Sequence, residues 1–575
     1  MKAYTVLLLS VALTAKVSAE CYTYLYGYSC CKDTSTEILG SDEEGFWGKE
    51  NGEWCFIPKN QGESTEPTIT TQPSSEPTTQ NPQEPPNQNP EIYVTVQFKK
   101  ENASIFNDGR FEGFGTSFCW WANRLGYSDS LAEQSATAFY DKNDGLGLNI
   151  IRYNIGGGDN PEHDHITRTD SNMPGYAINP NYDGTQYTWD YDWSSDFNQR
   201  NVLLKSLPKN KEEIIVEAFS NSPPYFMTNS GCSTGNIDAW DDNLKDDAYP
   251  AFAKYLADVA EHFKTEWNVT FQSITPLNEP YTNYWGAYNY KQEGCHFDQG
   301  DSQSNIIVEL RKAIDERGLT DMQISGTDES NIDTQINSFK KLSAEAKNAI
   351  TRIDTHTYSG SKRNELRKLA EEAHKNLWMS EVDGGNMEGT NPGEMGAALW
   401  LANRIIFDLS ELRASAWVLW QVIDNHISKE GYNGRKDTGM VNLNRGYWGI
   451  AVADHDNDRI ILTQKYYGYG QFTRYIRPGY TIIASNNNAI AAYDREGKKL
   501  VIVTANNYGS DVTVDFDLSD FSSVGSEIKV IRTSGSLTEG EQWAELSPLT
   551  TYGTGFKAEV KANSITTYII EEVEW

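Results

Sequence analysis

With 575 residues the chain has room for two or three domains. Its 81 Asp and Glu outweigh 49 Lys and Arg, and a formal charge of -32 argues against nucleic acid and anionic membrane surfaces as partners. The 16 Trp, 32 Tyr and 21 Phe are an unusual number; many must be core, but some can form exposed aromatic faces on which ligands stack.

Residues 1–19 carry Lys2, an apolar run from Val6 to Leu13 and Val17-Ser18-Ala19 before Glu20. This is the pattern of a secretory signal with a small-residue cleavage site, too short to span a bilayer. Residues 20–58 then hold Cys21, Cys30, Cys31 and Cys55. Four cysteines so close together in a secreted chain imply two bridges stapling a module too small for its own core. Of the other three, Cys119, Cys232 and Cys295, one reads as free and buried, and Cys232 with Cys295 is a candidate pair.

The small module carries Tyr22, Tyr24, Tyr26, Tyr28, Trp47 and Trp54, more aromatic surface than it can bury. Gly27-Tyr28 before Cys30-Cys31, Gly45-Phe46-Trp47-Gly48, Glu50-Asn51-Gly52 and Trp54-Cys55 resemble a fungal dockerin, with a small cellulose-binding module as the alternative. The resemblance implies attachment to a scaffold protein and puts Tyr28, Asp42 and Trp47 on the partner face. The family often carries two such modules in tandem and this chain has one. Calcium-loop spacing is absent around Asp42-Glu43-Glu44-Gly45, so no metal is expected there.

Residues 59–91 change to Thr, Ser, Pro, Gln, Asn and Glu, a linker that cannot bury enough surface to order itself. Order resumes with the alternating strand Ile92-Tyr-Val-Thr-Val-Gln-Phe98, within residues 92–108. Eight strand-like runs follow, at 111–118, 149–156, 213–220, 271–278, 322–328, 353–358, 377–381 and 414–421. Between the third and fourth, Phe252, Leu256, Val259 and Phe263 keep one helix face apolar. Between the seventh and eighth, Met395, Leu399, Ala402, Ile406 and Leu409 do the same. Strands alternating with helices predict an α/β fold, a (β/α)8 barrel over 109–478. After Pro478 the pattern becomes that of hairpins, with Asp494-Arg-Glu-Gly497 as a turn and strict alternation over 511–518. Residues 479–575 therefore predict an antiparallel β-sandwich, completed by the strand at Ile92.

The chemistry sits where the barrel strands end. Phe271-Gln-Ser-Ile-Thr-Pro-Leu-Asn-Glu-Pro280 is an apolar run cut off at Asn278-Glu279-Pro280, and Asn376-Leu-Trp-Met-Ser-Glu-Val-Asp-Gly384 brings Glu381 to the next such position. In a barrel, strand ends converge on one face, so strands four and seven would set the two glutamates against each other. Paired carboxylates are the equipment of glycoside hydrolysis, with about 5–5.5 Å between them for retention and about 6.5–9.5 Å for inversion. The shorter spacing is expected, with Glu279 as acid and base and Glu381 as nucleophile. Arg152, at the end of a buried strand, needs a carboxylate, and Glu381 is the obvious one, a structural salt bridge elsewhere being equally open. In that pairing Arg152 keeps Glu381 ionised, while Glu279 needs a raised pKa to arrive protonated.

Tyr358 could bond the nucleophile, Trp420 could floor a sugar subsite and Asn278 could hold a sugar 2-hydroxyl, core packing being the commoner role for either aromatic taken alone. Gly156-Gly-Gly158 is no phosphate loop, since no Gly-Lys-Ser/Thr follows, and reads as backbone brought close to a ligand. His163-x-His165 shows no third metal ligand and reads as an exposed loop. Asn102-Ala-Ser104 and Asn268-Val-Thr270 are glycosylation acceptors.

Gly113-Phe-Gly-Thr-Ser-Phe-Cys-Trp-Trp-Ala-Asn123, Arg152-Tyr-Asn-Ile-Gly-Gly-Gly-Asp-Asn160, Ala218-Phe-Ser-Asn-Ser-Pro-Pro-Tyr-Phe-Met227, Pro276-Leu-Asn-Glu-Pro280 and Trp378-Met-Ser-Glu-Val-Asp383 together resemble glycoside hydrolase family 30. Lys465-Tyr-Tyr-Gly-Tyr-Gly-Gln-Phe-Thr-Arg-Tyr-Ile-Arg-Pro-Gly479 carries the resemblance into the side domain. It implies a retaining mechanism without cofactor and adds Trp120, Trp121 and Asn221 to the substrate contacts. Within the family the Cys119-Trp120-Trp121 motif and the loop from Ser222 to Gly231 are most similar to endo-β-1,6-galactanases. The expectation is a secreted enzyme on β-1,6-galactan, docked to a scaffold. A glucuronoxylanase, for which Arg435-Lys436 could contact a uronic acid, and a β-1,6-glucanase are alternatives within the family. A non-catalytic carbohydrate-binding or scaffold protein is the alternative of another class.

Overall fold

The computed structural model describes residues 93–575 except 169, 211–213, 385–392 and 432–447, together with the backbone of four short strands between Ser29 and Pro58. The leader, the linker, Tyr28, Asp42, the side chains of Trp47 and the four clustered cysteines, and Arg435-Lys436 lie outside the described residues. In the N-terminal unit the strands run in the order Ser29–Cys30, Glu53–Pro58, Gly45–Glu50, Ile38–Ser41. The first pair is parallel and the others antiparallel.

The larger unit contains a closed barrel of eight strands. In chain order they are β1 (Gly113–Ser117), β2 (Ile150–Asn154), β3 (Ile215–Phe219), β4 (Ser273–Thr275), β5 (Gln323–Asn331), β6 (Ile350–Ser359), β7 (Asn376–Val382) and β8 (Ala416–Leu419). β8 pairs in parallel with β1, Ala416 opposite Gly113, and closes the ring. Both faces of such strands are covered, which is why β2 is buried along its whole length despite reading Ile-Ile-Arg-Tyr-Asn. The crossover helices Tyr249–Glu266 and Met395–Leu412 bury Phe252, Leu256, Val259 and Phe263, and Met395, Leu399, Ala402, Ile406 and Leu409, the two faces that the apolar spacing marks out. After β8 the chain adds a small sheet of Ile423–Ile427, Ala451–Asp454 and Arg459–Leu462, for which the sequence shows no clear pattern.

The strand Tyr93–Ala103, from ahead of the barrel, joins the C-terminal strands. Its second half pairs antiparallel with Thr481–Ser485. Its first half lies parallel to Val512–Asp517, Tyr93 opposite Thr513. The expected all-antiparallel layer therefore has one parallel seam, since a strand that arrives without a hairpin is not forced to reverse. The hairpin at Asp494 is present, with Asp494 opposite Lys499. Val96, Phe98, Ile502, Phe516, Phe556 and Tyr568 meet in the sandwich core. The alternate residues Ile482, Ile490, Val501 and Ile565 join the barrel's own core instead. Cys119, Cys232 and Cys295 are all buried and unbridged, which removes the Cys232–Cys295 pair.

Three buried carboxyls away from the glutamate pair contribute to the pH response of the fold. Burial pushes Asp196 up to about 7, Glu329 up to about 7 and Glu293 up to about 8, although neutral donors hold them: Tyr153 and Gln199 on Asp196, Ser338 and Gln303 on Glu329, the Gly158 amide on Glu293. A folded-state pKa above the unfolded value means the native chain binds more protons between the two, so stability falls as pH rises through that window. The melting temperature should be highest in mild acid and drop by several degrees from pH 5 to pH 8. A melting temperature that is flat or rises across that range would contradict these assignments.

Candidate active site

β4 ends at Thr275, earlier than its apolar run suggests, so Glu279 lies four residues beyond the strand. It adopts a left-handed backbone, φ 47°, a conformation that costs a non-glycine residue about 1–3 kcal/mol unless its surroundings hold it. They do hold it. Its amide donates to the Asp328 carbonyl at 2.8 Å, and its carbonyl accepts from the Trp285 indole at 2.9 Å. Glu381 is inside β7, one residue before its end, opposite His356 of β6.

An oxygen of Glu279 and an oxygen of Glu381 lie within 4.8 Å of each other, with His356 Nδ1 in the same group. That nitrogen is 3.0 Å from Glu279 Oε1 and 3.5 Å from Glu381 Oε1. His356 Nε2 is 3.3 Å from Asp328. Burial alone would lower the imidazole, but the Glu381 and Asp328 carboxylates raise it well above 6.5. Tyr284 donates to Glu279 Oε2 at 2.5 Å and Tyr358 to Glu381 Oε1 at 3.1 Å.

Arg152 reaches Glu381 Oε2 at 3.1 Å, but Glu381 is one of three carboxylate partners. Its other nitrogens bind Glu217 at 3.1 Å and Asp328 at 2.6 Å, and its plane covers the Phe219 ring. Arg352 follows one layer down, bonded to Glu217 and, at 2.6 Å, to Asp354. Burial and the neighbouring Glu279 carboxylate push Glu381 up, while His356 and Arg152 pull it down, so Arg152 shares with His356 the work of favouring the ionised form.

Aromatic residues surround the pair. Trp120 and Trp420 meet edge to face at 5.0 Å and pack with Cys119, Met173 and Phe219. Trp448, unmarked in the sequence, stacks on Tyr358 at 5.9 Å. Trp121 does not belong here. It starts the helix Trp121–Leu125, is fully buried against Phe118 and Phe139, and donates its indole N–H to the Ser117 carbonyl at 2.9 Å. Its substrate role is therefore withdrawn in favour of core packing.

Asn221 donates to the Cys119 sulfur at 3.8 Å. Asn221 Oδ1, Asn278 Oδ1, Trp120 Nε1 and both amide atoms of Asn154 are buried without a protein partner. Leaving such atoms unmatched costs about 1–3 kcal/mol each, and a hydroxyl-rich ligand would match them.

The glycines 156–158 allow close contact between chain segments, since a Cβ at Gly157 would stand 2.5 Å from the Ser222 and Pro223 carbonyls, and Gly157 and Gly158 also line a cavity. That cavity, of about 760 Å³, runs past Gly157, Asp159 and Tyr225 to Met173, and so adjoins the tryptophan pair. His163 and His165 are not an exposed loop either: both are mostly buried, packed on Tyr288 and bonded to Asp159.

Over residues 20–57 the chain matches the model described as a cellulose or protein binding domain. A stretch of 54 residues, 9% of this chain, is 40% identical to part of feruloyl esterase B from Piromyces equi, covering 10% of that protein. Among solved structures, the catalytic domain of a xylanase from Talaromyces cellulolyticus shares the fold with a TM-score of 0.58 at 19% identity, over 83% of this chain and 99% of that one. The endo-β-1,6-galactanase of Hypocrea rufa is 32% identical over 489 residues, 81% of this chain and 93% of its own length. Residues 107–432, with the barrel and both glutamates, match the model of O-glycosyl hydrolase family 30, and the chain belongs to that family.

Proposed function

We propose that the protein is a retaining endo-β-1,6-galactanase with Glu279 as acid and base and Glu381 as nucleophile. The observation that carries this is an oxygen of each carboxyl lying within 4.8 Å of the other, a close approach that supports double displacement. Glu279 gives its proton to the glycosidic oxygen as that bond breaks, while Glu381 attacks the anomeric carbon to form a glycosyl ester. Glu279 then takes a proton from water, whose oxygen attacks the same carbon and expels the Glu381 carboxylate. Two inversions restore the starting configuration, and no cofactor takes part.

Arg152 and Tyr358 bond the departing carboxylate, and the Trp120–Trp420 pair with Trp448 offers ring surface to the sugars. Asn278 and Asn221 present unmatched amide oxygens to hydroxyls. The similarity to the Hypocrea rufa enzyme supports galactan as the substrate. Purified β-1,6-galactan and glucuronoxylan, assayed side by side with NMR of the first-formed anomer, test both halves of this reading. Faster cleavage of galactan to β-anomers is expected. A preference for xylan would remove the substrate, and α-anomers would remove the mechanism.

We further propose that the protein is secreted and that its N-terminal module docks a scaffold protein through Tyr28, Asp42 and Trp47. The dockerin-like aromatic and cysteine pattern supports a protein partner over cellulose, two options that the matched model's description leaves open. The full chain should be retained by scaffold protein and lose that retention when residues 20–58 are deleted. Retention by cellulose alone would overturn the docking role.

A further inference from the structure

We propose that Asp159, His163, His165 and Cys232 form a structural zinc site that ties together the loops following β2 and β3, braced by the loop after β4. One oxygen or nitrogen from each of the first three, and the Cys232 sulfur, all lie within 4.8 Å of one another. His165 Nε2 is 2.7 Å from Asp159 Oδ2 and 3.3 Å from Cys232 Sγ, and His163 Nδ1 is 3.2 Å from Asp159 Oδ2.

The tautomer of His165 is what points to a cation. Its Nδ1 lies 2.7 Å from the Asn289 carbonyl, which can only accept, so Nδ1 carries a hydrogen. In a neutral ring Nε2 then holds its lone pair toward the Asp159 carboxylate and the Cys232 sulfur. Two acceptors at 2.7 Å repel unless a positive centre sits between them, either a second proton on the ring or a metal ion. A carbonyl that fixes the outer nitrogen of a histidine is the usual support for a metal ligand.

The surroundings fit the second choice. The Ser233 amide donates to Asp159 Oδ1 at 2.9 Å and the Tyr288 amide lies 3.4 Å from Cys232 Sγ, orienting two ligands from the backbone. Cys232 is fully buried and unbridged, with Thr234 Oγ1 at 3.1 Å. One thiolate, two imidazoles and one carboxylate suit zinc in tetrahedral geometry and suit magnesium or calcium poorly. Zinc bonds of about 2.0–2.3 Å set neighbouring tetrahedral ligands roughly 3.2–3.8 Å apart, so a small opening of the observed cluster admits the ion. Binding displaces the thiol proton, one H⁺ released to solvent for each Zn²⁺ taken up.

The test uses the full chain without an affinity tag, stripped with chelator and titrated with Zn²⁺ and Co²⁺. One ion should bind per chain and raise the melting temperature. Cobalt should show the intense visible bands of a tetrahedral centre together with a thiolate charge-transfer band, which neither the Glu279-His356-Glu381 group nor Asp242-His296-Asp298 can produce. Cys232→Ser should abolish the charge-transfer band. His163→Gln, at a partly exposed position, should weaken zinc at least tenfold and remove the zinc-dependent rise in melting temperature. Cobalt without the Cys232-dependent band, or zinc affinity unchanged in both variants, would leave an imidazolium–carboxylate pair and overturn the site.

Discussion

Replacing Glu381 by alanine should lower turnover of β-1,6-galactan by more than about 10⁴-fold, the scale on which removing a covalent group acts. Substrate should still bind, because the tryptophans and the unmatched amide groups are untouched. The variant also separates a missing nucleophile from a misfolded protein. Its side-chain space, beside Arg152 and Tyr358, can admit a small anion such as azide. Azide attacking from that face of a β-galactoside should yield the α-galactosyl azide at a measurable rate. Unchanged hydrolysis by Glu381→Ala, or a β-azide as the product, would remove Glu381 from the role proposed for it.

The second large effect is expected at Arg152. Its guanidinium is fully buried and bonds Glu217, Asp328 and Glu381 at once, so Arg152→Met leaves those carboxyls around an uncharged thioether. Breaking one buried ion pair by removing a partner costs about 3–5 kcal/mol, and three acceptors lose their donor here. A melting temperature lowered by many degrees is expected, with activity lost even well below the transition. Arg152→Lys should fall between the wild type and Met, since a single ammonium keeps the charge but cannot span three acceptors in a planar fork. If Arg152→Met melted within a degree of the wild type, the guanidinium would not be the organising charge of the barrel interior.

The eight barrel strands were legible because crossover helices cover them on the outside and force long apolar runs, and the helix faces at Phe252 and Met395 declare themselves by spacing alone. Glu279 and Glu381 were legible because Pro280 and Gly384 interrupt such runs. His356 was not, although a signal existed. Arg352, Asp354, His356 and Tyr358 alternate along β6, a polar stripe on the inward side that an eye set for apolar runs passes over. Glu217 and Asp328 complete the same buried charge lattice from β3 and β5, and only the closure of the barrel brings them to Arg152. Trp120 and Trp121 are indistinguishable as neighbours. The start of the helix at Trp121 turns one ring into the core and leaves the other in the Trp420 group. The ligands gathered on Asp159 come from loops after separate strands, so the distance in sequence between His165 and Cys232 hid them.

The strand Tyr93–Ala103 has a consequence for biosynthesis. It leaves the ribosome before any barrel segment, yet its partners Thr481–Ser485 and Val512–Asp517 are made nearly four hundred residues later. Until then it is an orphan edge with Val96 and Phe98 uncovered, able to recruit a neighbouring nascent chain. A gene shortened after Pro478 would make that interval permanent. Its product should accumulate as aggregate even though every barrel strand is encoded, so minimal expression versions of this enzyme ought to keep both ends or remove both.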